Sequence, residues 1–179
     1  MAQANLLQFQ RLVLQDTTLQ QPLRATAERE SFVAQVLRLS AERGCPLAAD
    51  EIDAALRSPK TIDLPSAMPD VAQLDGWIPV RISWEQLRPI VEWRYVGDAR
   101  FTEPFFEQTI SACLRHPFSR LFFLRTPVDA LAQLHAARPG VAPSGFVFHM
   151  SRCGSTLVAQ MLATLPQTLV IAEAEPIDA

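Results

Sequence analysis

Gly145-Phe146-Val147-Phe148-His149-Met150-Ser151-Arg152-Cys153-Gly154-Ser155-Thr156 is followed by Leu157, Val158, Met161, Leu162 and Leu165, and then by Thr168-Leu169-Val170-Ile171-Ala172. The first five residues are short, apolar and β-prone, and so are the last five. Between them the apolar positions recur at three and four, the spacing of one helix face. The order predicts strand, tight loop, helix and strand over 145–172, a βαβ unit of a parallel sheet.

The loop has the composition of an anion cradle. A helix N-terminus leaves main-chain N–H groups unpaired and concentrates partial positive charge there. Gly154 lets the backbone approach an anion, Ser155 and Thr156 add hydroxyl donors, and Arg152 adds a charge with a fork of donors. The nucleoside triphosphatase loop, GxxxxGK[ST], does not fit. No lysine separates Gly154 from Ser155, and Lys60 is the only lysine in the chain, so the cation for a terminal phosphate is missing. Cys153 would be activated at a helix N-terminus, but the tyrosine-phosphatase loop needs arginine six positions later, where Ala159 stands.

Ser151-Arg152-Cys153-Gly154-Ser155-Thr156 resembles the 5′-phosphosulfate loop of the sulfotransferase family, written Pro-Arg/Lys-Ser-Gly-Thr-Thr. Arg152, Gly154 and Thr156 match; Ser151 replaces the proline and Cys153 the serine. The resemblance implies that 3′-phosphoadenosine 5′-phosphosulfate is the cosubstrate, held by Ser151, Arg152, Cys153, Gly154, Ser155 and Thr156. It also implies sulfuryl transfer to a hydroxyl or amine, with Arg152 both binding and catalytic. The acceptor needs a base. Glu173 and Glu175 follow the second expected strand, where strand ends of a parallel sheet share one crevice. Glu173 lies 21 residues after Arg152, similar to the base of tyrosylprotein sulfotransferases, and is the favoured candidate. A solvated loop carboxylate, or a structural partner for an arginine, is the plainer alternative for either. The family's 3′-phosphate site and later strands are not in the sequence, so the resemblance implies an N-terminal fragment of the α/β P-loop domain, incomplete at the C-terminus.

Upstream, residues 1–58 read as an all-α module. Leu6, Phe9, Leu12 and Val13 share one helix face, and Asp16-Thr17-Thr18 breaks the run. Leu19 and Leu23 mark a second helix. Phe32, Val33, Val36 and Leu37 mark a third, which ends at Gly44, and Asp50–Leu56 is a fourth. Such a module could bury only a thin core by itself. Asn5-Leu6-Leu7-Gln8-Phe9, Asp16, Leu19-Gln20, Phe32-Val33, Ala41-Glu42-Arg43-Gly44 and Asp50-Glu51-Ile52 resemble the Nif-eleven-type leader domain. That family often precedes a modified peptide cut at a double glycine. No Gly-Gly occurs here and a long sequence follows, so the resemblance implies a reused docking module and makes a peptide acceptor attractive.

Residues 59–79, with Pro59, Pro65, Pro69 and Pro79, read as a linker. Residues 80–144 read as a mostly helical connection. Ser83-Trp84-Glu85-Gln86 has capping-box spacing before Leu87, Ile90 and Val91. Thr102-Glu103-Pro104 starts a helix that ends by His116-Pro117, and Leu121–Leu124 is a strand or buried helix. Thr126-Pro127-Val128-Asp129 opens a helix that Arg138-Pro139-Gly140 stops. The aromatic residues from Trp84 to Phe106 are core, or an acceptor platform.

A net charge of −3 offers no basic excess for nucleic acid or an anionic membrane. The three cysteines include no CxxC pair, and His149 with Cys153 lacks a third ligand, so no metal is expected. No signal peptide or spanning segment is read, which makes a cytoplasmic location the default. Two other readings stay open: a docking protein with a relic anion loop, and an atypical P-loop kinase.

Overall fold

The computed structural model describes residues 2–57, 74–150 and 152–178. Its N-terminal helices follow from their apolar periodicity. Helix α1 (Ala2–Gln15) buries Phe9 and Val13. The Asp16 carboxylate then accepts from the Thr18 N–H (2.9 Å) and Thr18 hydroxyl (2.5 Å), closing one helix and capping α2 (Thr17–Ala25). The Thr18 hydroxyl is the main reason the carboxyl is held below its ordinary range. Helix α3 (Arg29–Glu42) starts on Glu28, whose side chain accepts from the Glu30 and Ser31 N–H groups. It stops at Gly44, which has φ +73°, a left-handed position that glycine adopts without a Cβ clash. Helix α4 (Ala49–Arg57) completes the expected set of four.

These helices do not pack as a separate unit. One continuous core joins Phe9, Val13, Leu23, Phe32, Val36 and Ile52 to Trp77, Trp93, Phe118, Phe122 and Leu124. The buried Gln10 amide donates to the Leu121 carbonyl at 2.8 Å, and the Arg24 guanidinium lies 3.9 Å over the Tyr95 ring. A four-helix module of this size gains a fuller core by sharing it.

The connecting region departs most from the sequence reading. The expected linker falls largely on residues 58–73, outside the described residues. Its end is ordered: Leu74 is buried and strand β1 (Trp77–Glu85) has begun by Pro79. The helix expected from Ser83 is instead a hairpin of β1 and β2 (Arg88–Tyr95), turning on Gln86-Leu87 at φ +46° and +64°. The β-branched and aromatic residues Ile78, Val80, Ile82, Ile90, Val91 and Trp93 outweigh the capping-box spacing, because a sheet lets Val91 and Trp93 bury fully. The pairing register shifts between Pro79 and Arg81, as suits a proline that cannot donate to the ladder. Helix α5 (Phe106–Cys113) and helix α6 (Pro117–Leu121) follow. Strand β3 (Leu124–Pro127) then pairs antiparallel with β2, so Pro127 ends a strand rather than opening a helix. Helix α7 (Asp129–Ala137) begins two residues later.

Among the described residues the sheet is three-stranded, ordered β1-β2-β3 and antiparallel throughout. The parallel P-loop sheet expected at 145–179 is not formed. Residues 145–149 and 168–172 join no ladder, and Phe148 is 92% exposed. High β-propensity describes how well a residue fits a half-buried pleat, and among the described residues these runs have no neighbouring strand to supply one. The intervening helix does form, as α8 (Ser155–Ala163), and α9 (Glu175–Asp178) ends the described chain. The chain is thus a mixed α and β protein whose N-terminal part is all helix. No helix among the described residues is long and apolar enough to cross a membrane.

Candidate functional site

Helix α8 begins where the loop composition predicts. Gly154 is its N-cap residue at φ +88°. A Cβ built on Gly154 would meet no protein atom within 4 Å, so within the protein the glycine serves the left-handed backbone conformation. Arg152, two residues earlier, is exposed and also left-handed, at φ +61°. Cys153 and Gly154 are exposed, and Ser155 and Thr156 are half-buried in the first turn. Hydrogen bonding from the Ser155 main-chain N–H, assisted by its hydroxyl, pulls the Cys153 thiol below its ordinary range. Any anion at this turn meets the same donors. Ser151 lies outside the described residues.

The two carboxylates are separated by their surroundings. The Ala172 carbonyl accepts from the Phe106 N–H at 2.9 Å. Ala174 is buried in a small cluster with Val80, Phe106 and Ile110. Glu175 takes a two-pronged contact from Arg81, at 2.9 Å to Nε and 3.3 Å to Nη2. Residues 172, 174 and 175 are therefore each tied to the β1–α5 side of the protein, and Glu173 stands out between them at φ +52°. Its Oε1 lies 3.6 Å from His149 Nε2.

Apart from the hairpin turn, Arg152 and Glu173 are the only non-glycine residues with positive φ among the described residues. Such positions cost of order 1–3 kcal/mol and gather where function constrains the backbone. Glu175 makes the arginine contact that the plainer alternative expects. Two participants escaped the sequence reading. Arg81 meets Glu175 across 94 positions, with no local signal. His149 reads in the sequence as the end of an apolar run and, with Cys153, as a metal pair lacking a third ligand.

Helix α8 is tied to the fold by Gln160 Nε2, which donates to the Thr102 carbonyl at 3.1 Å. An open hollow of about 460 Å³ lies elsewhere, at the hairpin tip, lined by Glu85, Gln86, Arg88 and Ile90. It gathers no combination of nucleophile, base and anion donors. Comparison of the chain with protein-family models, with curated proteins and with solved structures gives no match.

Proposed function

We propose that the turn from Arg152 to Thr156 binds the 5′-phosphosulfate end of 3′-phosphoadenosine 5′-phosphosulfate, as part of a sulfotransferase. The observation that carries this reading is the start of α8 on left-handed Gly154, with the exposed Arg152 beside it and no side chain of the N-cap residue closing the turn. Main-chain N–H groups and the helix dipole favour an anion there, and a guanidinium suits a forked oxyanion.

In the reaction, the acceptor oxygen bonds to sulfur as the bond from sulfur to the bridging oxygen breaks. The proton leaves the acceptor for a carboxylate, and adenosine 3′,5′-bisphosphate departs with the electron pair. Negative charge grows on the bridging oxygen, where Arg152 and the loop N–H groups stabilise it. Glu173 is the preferred base, because Arg81 already occupies Glu175.

Titration calorimetry with adenosine 3′,5′-bisphosphate tests the binding. Loss of the charge-assisted contacts in Arg152→Ala should weaken it by about 10- to 100-fold. Gly154→Ala, strained at φ +88°, should weaken it as well. Equal affinity in all three proteins refutes the assignment, and a preference for ATP with magnesium would favour a kinase. A docking role is the second reading. It is favoured by the exposed Phe146, Phe148, Met150, Leu157 and Met161, an apolar surface of the kind that marks protein contacts.

A further inference from the structure

We propose that the outward face of α8 is the seat of a symmetric dimer, and that its occupant is the same face of a second copy of this chain. The inference goes beyond the nucleotide reading and stands without it.

Helix α8 turns its small and polar side inward. Ala163 is buried, and Gln160 donates to the Thr102 carbonyl at 3.1 Å. The opposite side carries Leu157, Val158, Met161 and Leu162, which are 66%, 45%, 64% and 37% exposed. An amphipathic helix ordinarily does the reverse, because apolar area is costly in water. The four residues form two rows at i and i+4, Leu157 with Met161 and Val158 with Leu162. Such rows are ridges with a groove between them, and they interlock with rows of the same spacing on another helix. An identical face therefore offers both the ridge and the groove that the packing needs.

The surroundings are apolar too. Charged residues make up 20% of the chain, yet Arg152 is the only Asp, Glu, Lys or Arg between Arg138 and Glu173. Phe146, Phe148, Met150 and Leu169 add exposed apolar surface on the same stretch. With the α8 face they present on the order of 500–1,000 Å². A stable interface takes about 800 Å² from each partner, so the area suits a dimer. Interfaces between separable, unlike proteins are no more apolar than the rest of a surface and draw selectivity from charge pattern. Those between like subunits are more apolar. A stretch this poor in charge has little by which to choose a foreign partner. A two-fold axis is the commonest way for a chain to meet itself.

Sedimentation velocity on the full chain tests this. The wild type should dimerise with a dissociation constant of about 1 μM or below. Met161→Glu puts a charge in the centre of the face and should weaken association by about 100-fold. Helical circular dichroism should be unchanged, since Met161 already meets water in the single chain. Like residues meet across a two-fold axis. Met161→Cys in a Cys113→Ser/Cys153→Ser background should therefore form a disulfide between copies under mild oxidation. Gln160→Cys, on the inward side, should not. A chain that stays monomeric at about 100 μM overturns the proposal and leaves the face to a different protein or a lipid surface. A dimer that Met161→Glu leaves intact overturns it too, as does equal cross-linking through positions 160 and 161. Assemblies that grow beyond a dimer overturn the two-fold arrangement. Binding of adenosine 3′,5′-bisphosphate is read separately, so either reading can fail without the other.

Discussion

His116 shows how much one side chain can carry. Its Nδ1 accepts from the Phe118 N–H at 3.2 Å, capping α6, and its ring also bonds the Arg24 carbonyl on α2. Capping needs a deprotonated Nδ1. Burial pushes the imidazole below its ordinary 6.5, with the Arg24 carbonyl opposing. The unfolded chain therefore takes up this proton first. The contribution is fully present above about pH 6.5 and is lost as pH falls toward the lower folded value. Denaturant midpoints should drop between pH 7.5 and 5, and the drop should shrink in His116→Asn, which keeps an acceptor and does not titrate. The residues legible in advance were those whose role is local. Gly44 and Gly154 end or begin helices through their own backbones, and Asp16 breaks the first helical run with its carboxylate. The Arg81–Glu175 contact and the His116 bond to Arg24 act across the fold, and no pattern of neighbours in sequence announces them.

Among the elements, the hairpin is where sequence and structure part most clearly. Gln86 and Leu87 both hold positive φ, and neither is the asparagine or glycine that such a two-residue turn favours. The turn was therefore silent in the sequence, while Ser83-Trp84-Glu85-Gln86 offered a false helix start. Leu87 is 92% exposed and has little packing to lose. Gln86→Asn with Leu87→Gly should stabilise the protein by about 1 kcal/mol, read as a rise of a few degrees in Tm. Helices α1 to α4 were legible because a helix satisfies its own main chain and needs only one apolar face. Residues 145–149 and 168–172 carry strand-like composition, but a strand is completed by a partner. Composition cannot report whether that partner is there.

The molecule as a whole is organised by the core that runs from α1 to β3. Phe9 on α1 and Phe122 after α6 meet with ring centroids 6.3 Å apart. The fully buried Trp93 donates from Nε1 to Thr126 Oγ1 at 2.9 Å. The helical part and the sheet should therefore melt together. Phe9→Ala should destabilise the protein by about 3–5 kcal/mol and lower the tryptophan-fluorescence and helical circular-dichroism transitions equally. Separate transitions would show two independent units. The sequence announced the helices and the apolar runs but not their union, because which faces meet is decided by shape across long separations.

The exposed large apolar side chains between Phe146 and Ile171 have a thermodynamic consequence. Water already surrounds Phe148, Met150, Leu157 and Leu169 in the native state, so melting exposes less new hydrocarbon than a chain of this length usually would. The heat-capacity increment of the monomer's unfolding should be correspondingly small in scanning calorimetry, with a stability curve flattened at the cold end.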